Sequence, residues 1–451
     1  MTTARAVAVD VLNVARSANA WAAELVEEHL ARTPLAPLDR RFVTQLVFGV
    51  IRRKSTLDAL LRPFVQRPFH TVEPAVVDVL RVGAFQLAFL THVPKHAAVH
   101  ETVELARHVG CPMAKGFVNG VLRRVAETVT DDFGEAPAAD AIPFDDNRYR
   151  KLNRELLPDP ESDTPAYLAA GFSWPRWLAD RWLEQFGRDE CFRLGFWFNA
   201  PPPLWIRTSK LRTDREGYRL QLSAKEIHAE PGDHPQSLRI VDGAAVRELP
   251  GYAEGEFTVQ DHSAMAVATA LNPQPGWRVL DLCSAPGGKT THLAELMKNR
   301  GSIVACDIDP KRLETVKTLC HRLGISIVEF RLLDKEHTNP PPGPFDAALV
   351  DVPCSNTGVL GRRPEVRWRL RPFEFEDLIL LQTRLLFTAM EQVRPGGVVV
   401  YSTCSIEPDE NSGVVRAARQ VFRGLRVEAE STAIPGRPAD GGYWARLRLP
   451  G

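Results

Sequence analysis

The chain has 451 residues, 44% hydrophobic and 25% charged, and its 56 basic residues balance 56 acidic ones. That length allows two or three domains with real cores, and a neutral total excludes a generic polyanion binder while leaving room for nucleic acid on one charged face. Its seven cysteines form no CxxC pair, which argues against a disulfide framework, a metal site or a redox motif and for a reducing compartment. Apolar runs such as Ala347-Ala348-Leu349-Val350 are too short to span a bilayer. Asp10 stands where a secretory signal would be apolar. A cytoplasmic protein without a membrane partner is expected.

Residues 1–130 show apolar positions spaced by three and four, as in Ala8, Val11, Leu12 and in Phe42, Leu46, Val47, Val50. That period predicts a bundle of five to seven helices. Residues 131–165 read as an acidic linker, partly disordered, with ten acids and four bases in 131–163. Residues 166–255 read as a small α+β domain. It opens on an aromatic cluster including Phe172, Trp174, Trp182 and Phe198, followed by a strand-like Leu204-Trp205-Ile206-Arg207. From 256 to 451 short β-rich runs alternate with helical ones, at 278–282, 302–307, 327–330, 346–351 and 397–402. Such alternation predicts a doubly wound parallel sheet, whose ligands bind beyond the carboxyl ends of the strands.

The first of those strands runs into Asp281-Leu282-Cys283-Ser284-Ala285-Pro286-Gly287-Gly288-Lys289-Thr290. Adjacent glycines let the backbone approach a ligand at a helix N-terminus. A Walker loop needs glycine where Cys283 stands, and no Gly-x-Gly-x-x-Gly is present. Asp307 ends the second strand, where a carboxylate can accept both ribose hydroxyls. Asp334 follows the third and is suited to an adenine amine. An adenosine without pyrophosphate fits this set best, which points to S-adenosylmethionine. Read singly, Gly287-Gly288 is a tight turn and the aspartates are helix caps; the ordered series at strand ends favours a cofactor.

Two cysteines follow the next two strand ends, in Asp351-Val352-Pro353-Cys354-Ser355-Asn356-Thr357-Gly358 and in Ser402-Thr403-Cys404-Ser405. Adjacent strands lie about 5 Å apart, so two thiols can face one pocket. Cytosine carbon 5 is a poor nucleophile until a thiolate adds to carbon 6, and covalent catalysis of that kind divides one hard step into easier ones. Asp351 is placed to hold a proton at cytosine N3. The bland alternative is a pair of buried thiols.

These motifs, with Gln260-Asp261-His262-Ser263-Ala264-Met265 and Arg363-Pro364-Glu365-Val366-Arg367-Trp368, resemble those of the RNA (cytosine-5) methyltransferases. Nearest in pattern are the bacterial 16S ribosomal RNA enzymes with an N-terminal NusB-like domain. Asp39-Arg40-Arg41-Phe42 and Phe117-Val118-Asn119-Gly120-Val121-Leu122-Arg123-Arg124 extend the likeness into the N-terminal half. The resemblance implies a Rossmann-like class I methyltransferase sheet, preceded by a small α+β domain and an all-α NusB-like domain that binds RNA or protein. It implies Cys404 as nucleophile and Cys354 as the group assisting release. Cofactor contacts are implied at Cys283, Ser284, Ala285, Pro286, Gly287, Gly288, Lys289, Asp307, Asp334 and Asp351. The partner it implies is 16S ribosomal RNA, before or during small-subunit assembly, and we expect a monomer. Asn356 departs from the usual Gly or Ser, and Ser284 from the usual Ala.

The run Arg362 to Arg371 holds five arginines and one acid; beside the pocket it is expected to hold phosphates, with Trp368 stacking on an unpaired base. His92, His96, His100 and His108 lack acids in register and read as ordinary helix histidines. Competing readings are methylation of DNA, of transfer RNA or of another base, and a catalytically silent RNA-binding assembly factor.

Overall fold

The computed structural model describes every residue except 1–2, 18–19 and 243–244. The chain forms two compact units, one from residues 1–201 with 360–369, the other from 202–359 with 370–451.

The first unit begins with seven α-helices, Ala4–Ser17, Ala22–Arg32, Pro37–Arg52, Lys54–Leu61, Pro74–Phe89, Lys95–His108 and Lys115–Thr128. Their apolar stripes meet in a core that includes Val9, Leu46, Val47, Leu57, Leu80 and Leu122. Packing is tight enough that a β-carbon on Gly49 would overlap the Phe85 ring, so only glycine serves there.

Where the sequence suggests a linker, the chain folds into β1 (Val129–Gly134), β2 (Ala141–Pro143) and β3 (Tyr149–Leu152), an antiparallel sheet in the order β1-β3-β2. Buried arginines tie it to the helices. Arg150 donates to Thr130 O at 2.8 Å, Ala88 O at 3.1 Å and Asp131 at 2.7 Å. Arg53 donates to Pro143 O and Phe144 O and lies 4.2 Å from the Phe89 ring centre. Acid content suggested a solvated tether, but the acids lie on the outer positions while Ile142, Tyr149 and Leu152 turn inward. The aromatic cluster also belongs to this unit, on helices Thr164–Gly171, Arg176–Phe186 and Arg188–Asn199 and the turn after the first of them, with Trp174 edge-on to Trp182 at 4.9 Å.

Residues 360–369 belong to this unit, and here the expectation of an RNA-facing arginine run gives way. Arg367 is wholly buried. Its guanidinium donates to Arg52 O at 3.0 Å, Phe172 O at 3.2 Å, Asn199 Oδ1 at 2.9 Å and Phe198 O at 3.2 Å. Burial, then Arg52 and Arg53, push its pKa down to about 9. Trp368 gives its indole N–H to Ile51 O at 3.0 Å, with the Lys54 ammonium 4.9 Å from its ring. Arg369 donates to Ala20 O and lies over Trp21. Arg367, Trp368 and Arg369 thus strap the helices together, while Arg363 and Arg371 remain exposed.

The second unit holds an antiparallel sheet of β4 (Leu204–Thr208), β5 (Ala229–Pro231), β6 (Ser237–Ile240) and β7 (Phe257–Val259), in the order β5-β6-β4-β7, with helix Arg215–Ser223 against it. The chain then builds β8 (Arg278–Asp281), β9 (Ser302–Asp307), β10 (Val328–Leu332), β11 (Phe345–Asp351), β12 (Val393–Thr403), β13 (Arg426–Ala433) and β14 (Gly442–Arg448). Their order is β10-β9-β8-β11-β12-β14-β13. The pairs from β10 to β12 are parallel, and the last two strands are antiparallel additions. Alternation along each strand divides the core. Val279, Ala347, Leu349 and Val398 face one layer of helices, while Leu280, Ala348, Val350 and Val399 face the other. Burial on both faces explains the unbroken apolar run in β11.

Replacing Arg367 by alanine strands several buried carbonyls, so the first unit should lose roughly 3 kcal/mol of stability. A lysine should not restore it, since one ammonium cannot reproduce the planar fork. Thermal unfolding of the full chain carrying Arg367→Ala and Arg367→Lys checks both.

Candidate active site

The parallel register of β11 and β12 places Asp351 beside Ser402. Ser402 Oγ donates to Asp351 Oδ1 at 2.7 Å, and Val352 N donates to Ser402 O at 3.1 Å. Each strand then releases its loop, and the two sulfurs meet: Cys354 Sγ lies 3.2 Å from Cys404 Sγ. Cys354 is buried, with 8% exposed, and Cys404 is half-buried. Asn356 bridges them. Its Nδ2 donates to Cys354 O at 2.7 Å, and its Oδ1 accepts from Cys404 Sγ at 3.2 Å. At φ 59° Asn356 is left-handed, a conformation Asn tolerates better than most residues. The departure from Gly or Ser therefore adds a polar contact to the nucleophile.

Charge around the two thiols is unequal. Cys354 is pushed well above the usual thiol range by its hydrogen bond with Cys404, then by burial, with Glu410 adding to the shift. Lys289 is held by Asp351, its Nζ 2.7 Å from Asp351 Oδ2. Burial pulls the Lys289 pKa down, but Asp351 and then Cys404 outweigh it and the net shift is upward. The ammonium stays charged, and positive charge near a thiol favours its thiolate.

One residue gave no sequence signal. Glu410 is fully buried six positions beyond Cys404. Its Oε1 accepts from Ser355 N at 2.8 Å and from Gln382 Nε2 at 2.8 Å, and its Oε2 accepts from the hydroxyls of Ser355 and Ser405. Tyr401 OH donates to its carbonyl at 2.6 Å. One carboxylate thus clamps the residues next to both cysteines. In sequence it resembles any surface acid.

The cofactor-loop residues surround the ends of β8 and β9. Gly287 has φ 102°, and a β-carbon there would press on Val316 and Leu319. It starts the helix Gly288–Leu296. Ser284 turns toward the sheet, its N and Oγ donating to Cys306 O at 2.8 and 2.9 Å. Burial pushes Cys283 well up, with Asp281, Asp351 and Asp307 adding to it, so it stays a neutral wall. Ala285 is buried, and its carbonyl accepts from Arg312 at 3.1 Å; Pro286 completes the loop before Gly287. Asp307, buried at the end of β9, accepts from Asp309 N at 3.0 Å and lies 3.5 Å from Arg312. Asp334 caps its own loop, receiving Thr338 N at 2.8 Å and Thr338 Oγ1 at 2.7 Å. Those bonds hold its pKa below the usual carboxylate value.

Asp281 supplies a test of fit for a nucleoside cofactor. Oδ2 accepts from Thr290 Oγ1 at 2.6 Å, while the buried Oδ1 has no hydrogen-bond partner. Burial raises its pKa to about 7, partly offset by Thr290. A buried acceptor without a donor suits a ligand that brings one. The helix beyond the loop is pinned by Arg207 of β4, which donates to Gly288 O at 2.8 Å and pairs with Glu295 at 2.8 Å, both side chains being buried.

Three family models match the chain: the NusB family over residues 2–127, the RsmF/B-like ferredoxin-like domain over 174–247, and 16S rRNA methyltransferase RsmB/F over 268–435. Ribosomal RNA small subunit methyltransferase B of Salmonella typhi is 34% identical, covering 96% of this chain and 98% of the relative. Its counterpart in Klebsiella pneumoniae strain 342 is 34% identical over 91% and 90%. This chain belongs to the ribosomal RNA small subunit methyltransferase B family. As a member it is an S-adenosylmethionine-dependent RNA methyltransferase, and the loop around Gly287 with Asp281 and Asp307 fits that cofactor. A methyltransferase homologue from Pyrococcus horikoshii superposes with TM-score 0.57 at 26% identity, over 63% of this chain and 99% of that one. NSun6 from the same organism, solved with SFG, an analogue of the cofactor, has TM-score 0.56 at 21% identity and shares the fold, over 61% of this chain and 98% of that one. Among the described residues no helix is long and apolar enough to cross a membrane, and no cluster of three metal-binding side chains occurs.

Glu410→Ala should lower kcat on the order of 100-fold, because small displacements of reacting groups are that costly. Cofactor affinity should stay within about twofold, since Glu410 braces the cysteine loops alone. Glu410→Gln keeps one oxygen acceptor and should recover much of the rate. Steady-state kinetics with calorimetric cofactor titration separates these outcomes.

Proposed function

We propose that the protein transfers a methyl group to carbon 5 of a cytosine in 16S ribosomal RNA, through a covalent adduct on Cys404. The observation that carries this reading is the thiol pair itself, 3.2 Å apart, with the Lys289 ammonium acting on Cys404 and Cys354 pushed upward. Cys404, acted on by the Lys289 cation, is the thiol that gives up its proton to solvent before attack; Cys354, pushed upward, keeps its proton.

Cys404 Sγ adds to carbon 6 of the ring, forming an S–C bond, and the displaced electron pair makes carbon 5 nucleophilic. A proton taken from solvent at N3 neutralises the ring. Asp351, held by Lys289 and Ser402, stabilises that proton as a hydrogen-bond acceptor, and it returns to solvent when the thiolate leaves. The cofactor supplies a sulfonium methyl, and the residues that would hold it are Cys283 through Lys289, with Asp307, Asp334 and Asp351. Once Cys404 is a thioether, the largest influence keeping Cys354 protonated is gone. Cys354 then loses its proton to solvent and takes the one on carbon 5. The S–C6 bond breaks, the 5,6 double bond returns, and Cys404 leaves as thiolate.

Target cytosines must be unstacked to reach such a site. We assign RNA contact to the helical residues 1–130 and to the segment 166–255, and we place the protein in the cytoplasm as a monomer acting before or during small-subunit assembly. A silent assembly factor would have no use for two juxtaposed thiols.

With labelled cofactor and 16S RNA, Cys404→Ser should form no 5-methylcytosine. Cys354→Ala should accumulate a protein–RNA adduct that survives a denaturing gel. Full turnover by Cys404→Ser would contradict the nucleophile assignment, and lack of any adduct would remove Cys354 from release.

A further inference from the structure

Two thiols held this close have a chemistry besides methyl transfer. Cys354 Sγ and Cys404 Sγ are 3.2 Å apart, and a disulfide needs ~2.05 Å. Small rotations of the two side chains close a gap of roughly 1 Å at little cost. The backbone around both sulfurs is already tied. Gly358 N donates to Cys404 O at 3.0 Å, and Asn356 Nδ2 donates to Cys354 O at 2.7 Å. Glu410 accepts from Ser355 N at 2.8 Å and from the Ser405 hydroxyl, which holds the two loops together beside the sulfurs.

Cys404 is half-buried and within reach of solvent, while Cys354 is buried behind it. An ionisable thiol that solvent reaches, with a second thiol beside it, is the arrangement that peroxides convert to a disulfide. The remaining five cysteines stand outside it. Cys191, Cys306 and Cys320 are buried, and burial pushes each of these thiols up. Cys283 is pushed well up by burial and then by neighbouring carboxylates. Cys111 lies in the first unit, just before the turn Pro112–Ala114.

We propose that Cys354 and Cys404 are also a site of reversible oxidation, at which a peroxide drives formation of a disulfide that withdraws the nucleophile. The Cys404 thiolate attacks one peroxide oxygen. An S–O bond forms, the O–O bond breaks, and the second oxygen leaves with a proton from solvent as water or an alcohol. Cys404 is then a sulfenic acid. The hydrogen bond to a Cys404 thiolate, the largest influence holding the proton on Cys354, is gone. Cys354 loses that proton to solvent and attacks the Cys404 sulfur. The S–S bond forms, the S–O bond breaks, and hydroxide leaves to become water. The thiol pair has passed an electron pair to the peroxide. In a reducing compartment such a bond is transient, and a thiol reductant reverses it. Loss of methyl transfer rests on the Cys404 reading above; formation of the bond does not.

Exposure of the full chain to hydrogen peroxide, ended with catalase, tests this. Thiols titrated after denaturation should fall from seven to five, and a non-reducing digest should join the peptide of Cys354 to that of Cys404. Methyl transfer to 16S RNA should drop at least about tenfold and return with dithiothreitol, as a disulfide allows. Cys354→Ser should give no joined peptide under the same treatment. Its Cys404 should instead carry sulfinic or sulfonic oxygens that dithiothreitol does not remove. Retention of all seven thiols, a link from either cysteine to a different one, or oxygen added to Cys404 of the unaltered chain without a joined peptide would overturn the switch and leave the nucleophile reading intact. A joined peptide with transfer undiminished would overturn the switch and the nucleophile reading together.

Discussion

Parallel pairing of β11 with β12 aligns Asp351 with Ser402, and the chemistry of the second unit follows from that alignment. In a sheet, a slip of one residue reverses every side chain. Here it would move Asp351 away from Lys289 and carry Cys354 off the pocket shared with Cys404. The register is held at the ends of β11, where Asp346 and Asp351 must stay out of the buried layers that Ala347 to Val350 fill. Function therefore depends on the same apolar contacts that make the core.

Geometry alone would give two equivalent thiols. What separates them is the distribution of charge: Lys289 beside Cys404, Glu410 and deep burial beside Cys354. The loops that carry them are short and would be free to diverge without a brace. Glu410 supplies it from the chain just past β12, accepting four hydrogen bonds from three residues. A buried carboxylate is tolerable only when its acceptors are filled, and that requirement fixes both loops at once.

Much of this was legible in the residues. The five parallel strands, the glycine turn at Gly287 and the two cysteines at strand ends follow from period and position, and the resemblance named their roles. Less visible was anything decided by long-range partners. Arg367 reads as a phosphate contact because nothing local shows that four carbonyl and amide oxygens surround it. Residues 131–165 read as a tether because acids dominate the composition, whereas inward-facing Ile142, Tyr149 and Leu152 decide the fold. The antiparallel strands β13 and β14 escaped notice: β13 is an exposed edge rich in charge, and the strict alternation of Tyr443, Ala445 and Leu447 lay beyond the last expected strand. Glu410 could be found only in three dimensions.

The central claim is that Cys404 Sγ bonds to the base while Cys354 stays free to remove a proton. RNA carrying 5-fluorocytosine at the target tests it directly, because fluorine at carbon 5 cannot leave as a proton is lost and the adduct is held. Digestion and mass spectrometry of the trapped complex should place the modified nucleotide on the peptide containing Cys404. A cross-link on Cys354, or methylation proceeding with no protein–RNA bond, would contradict the account.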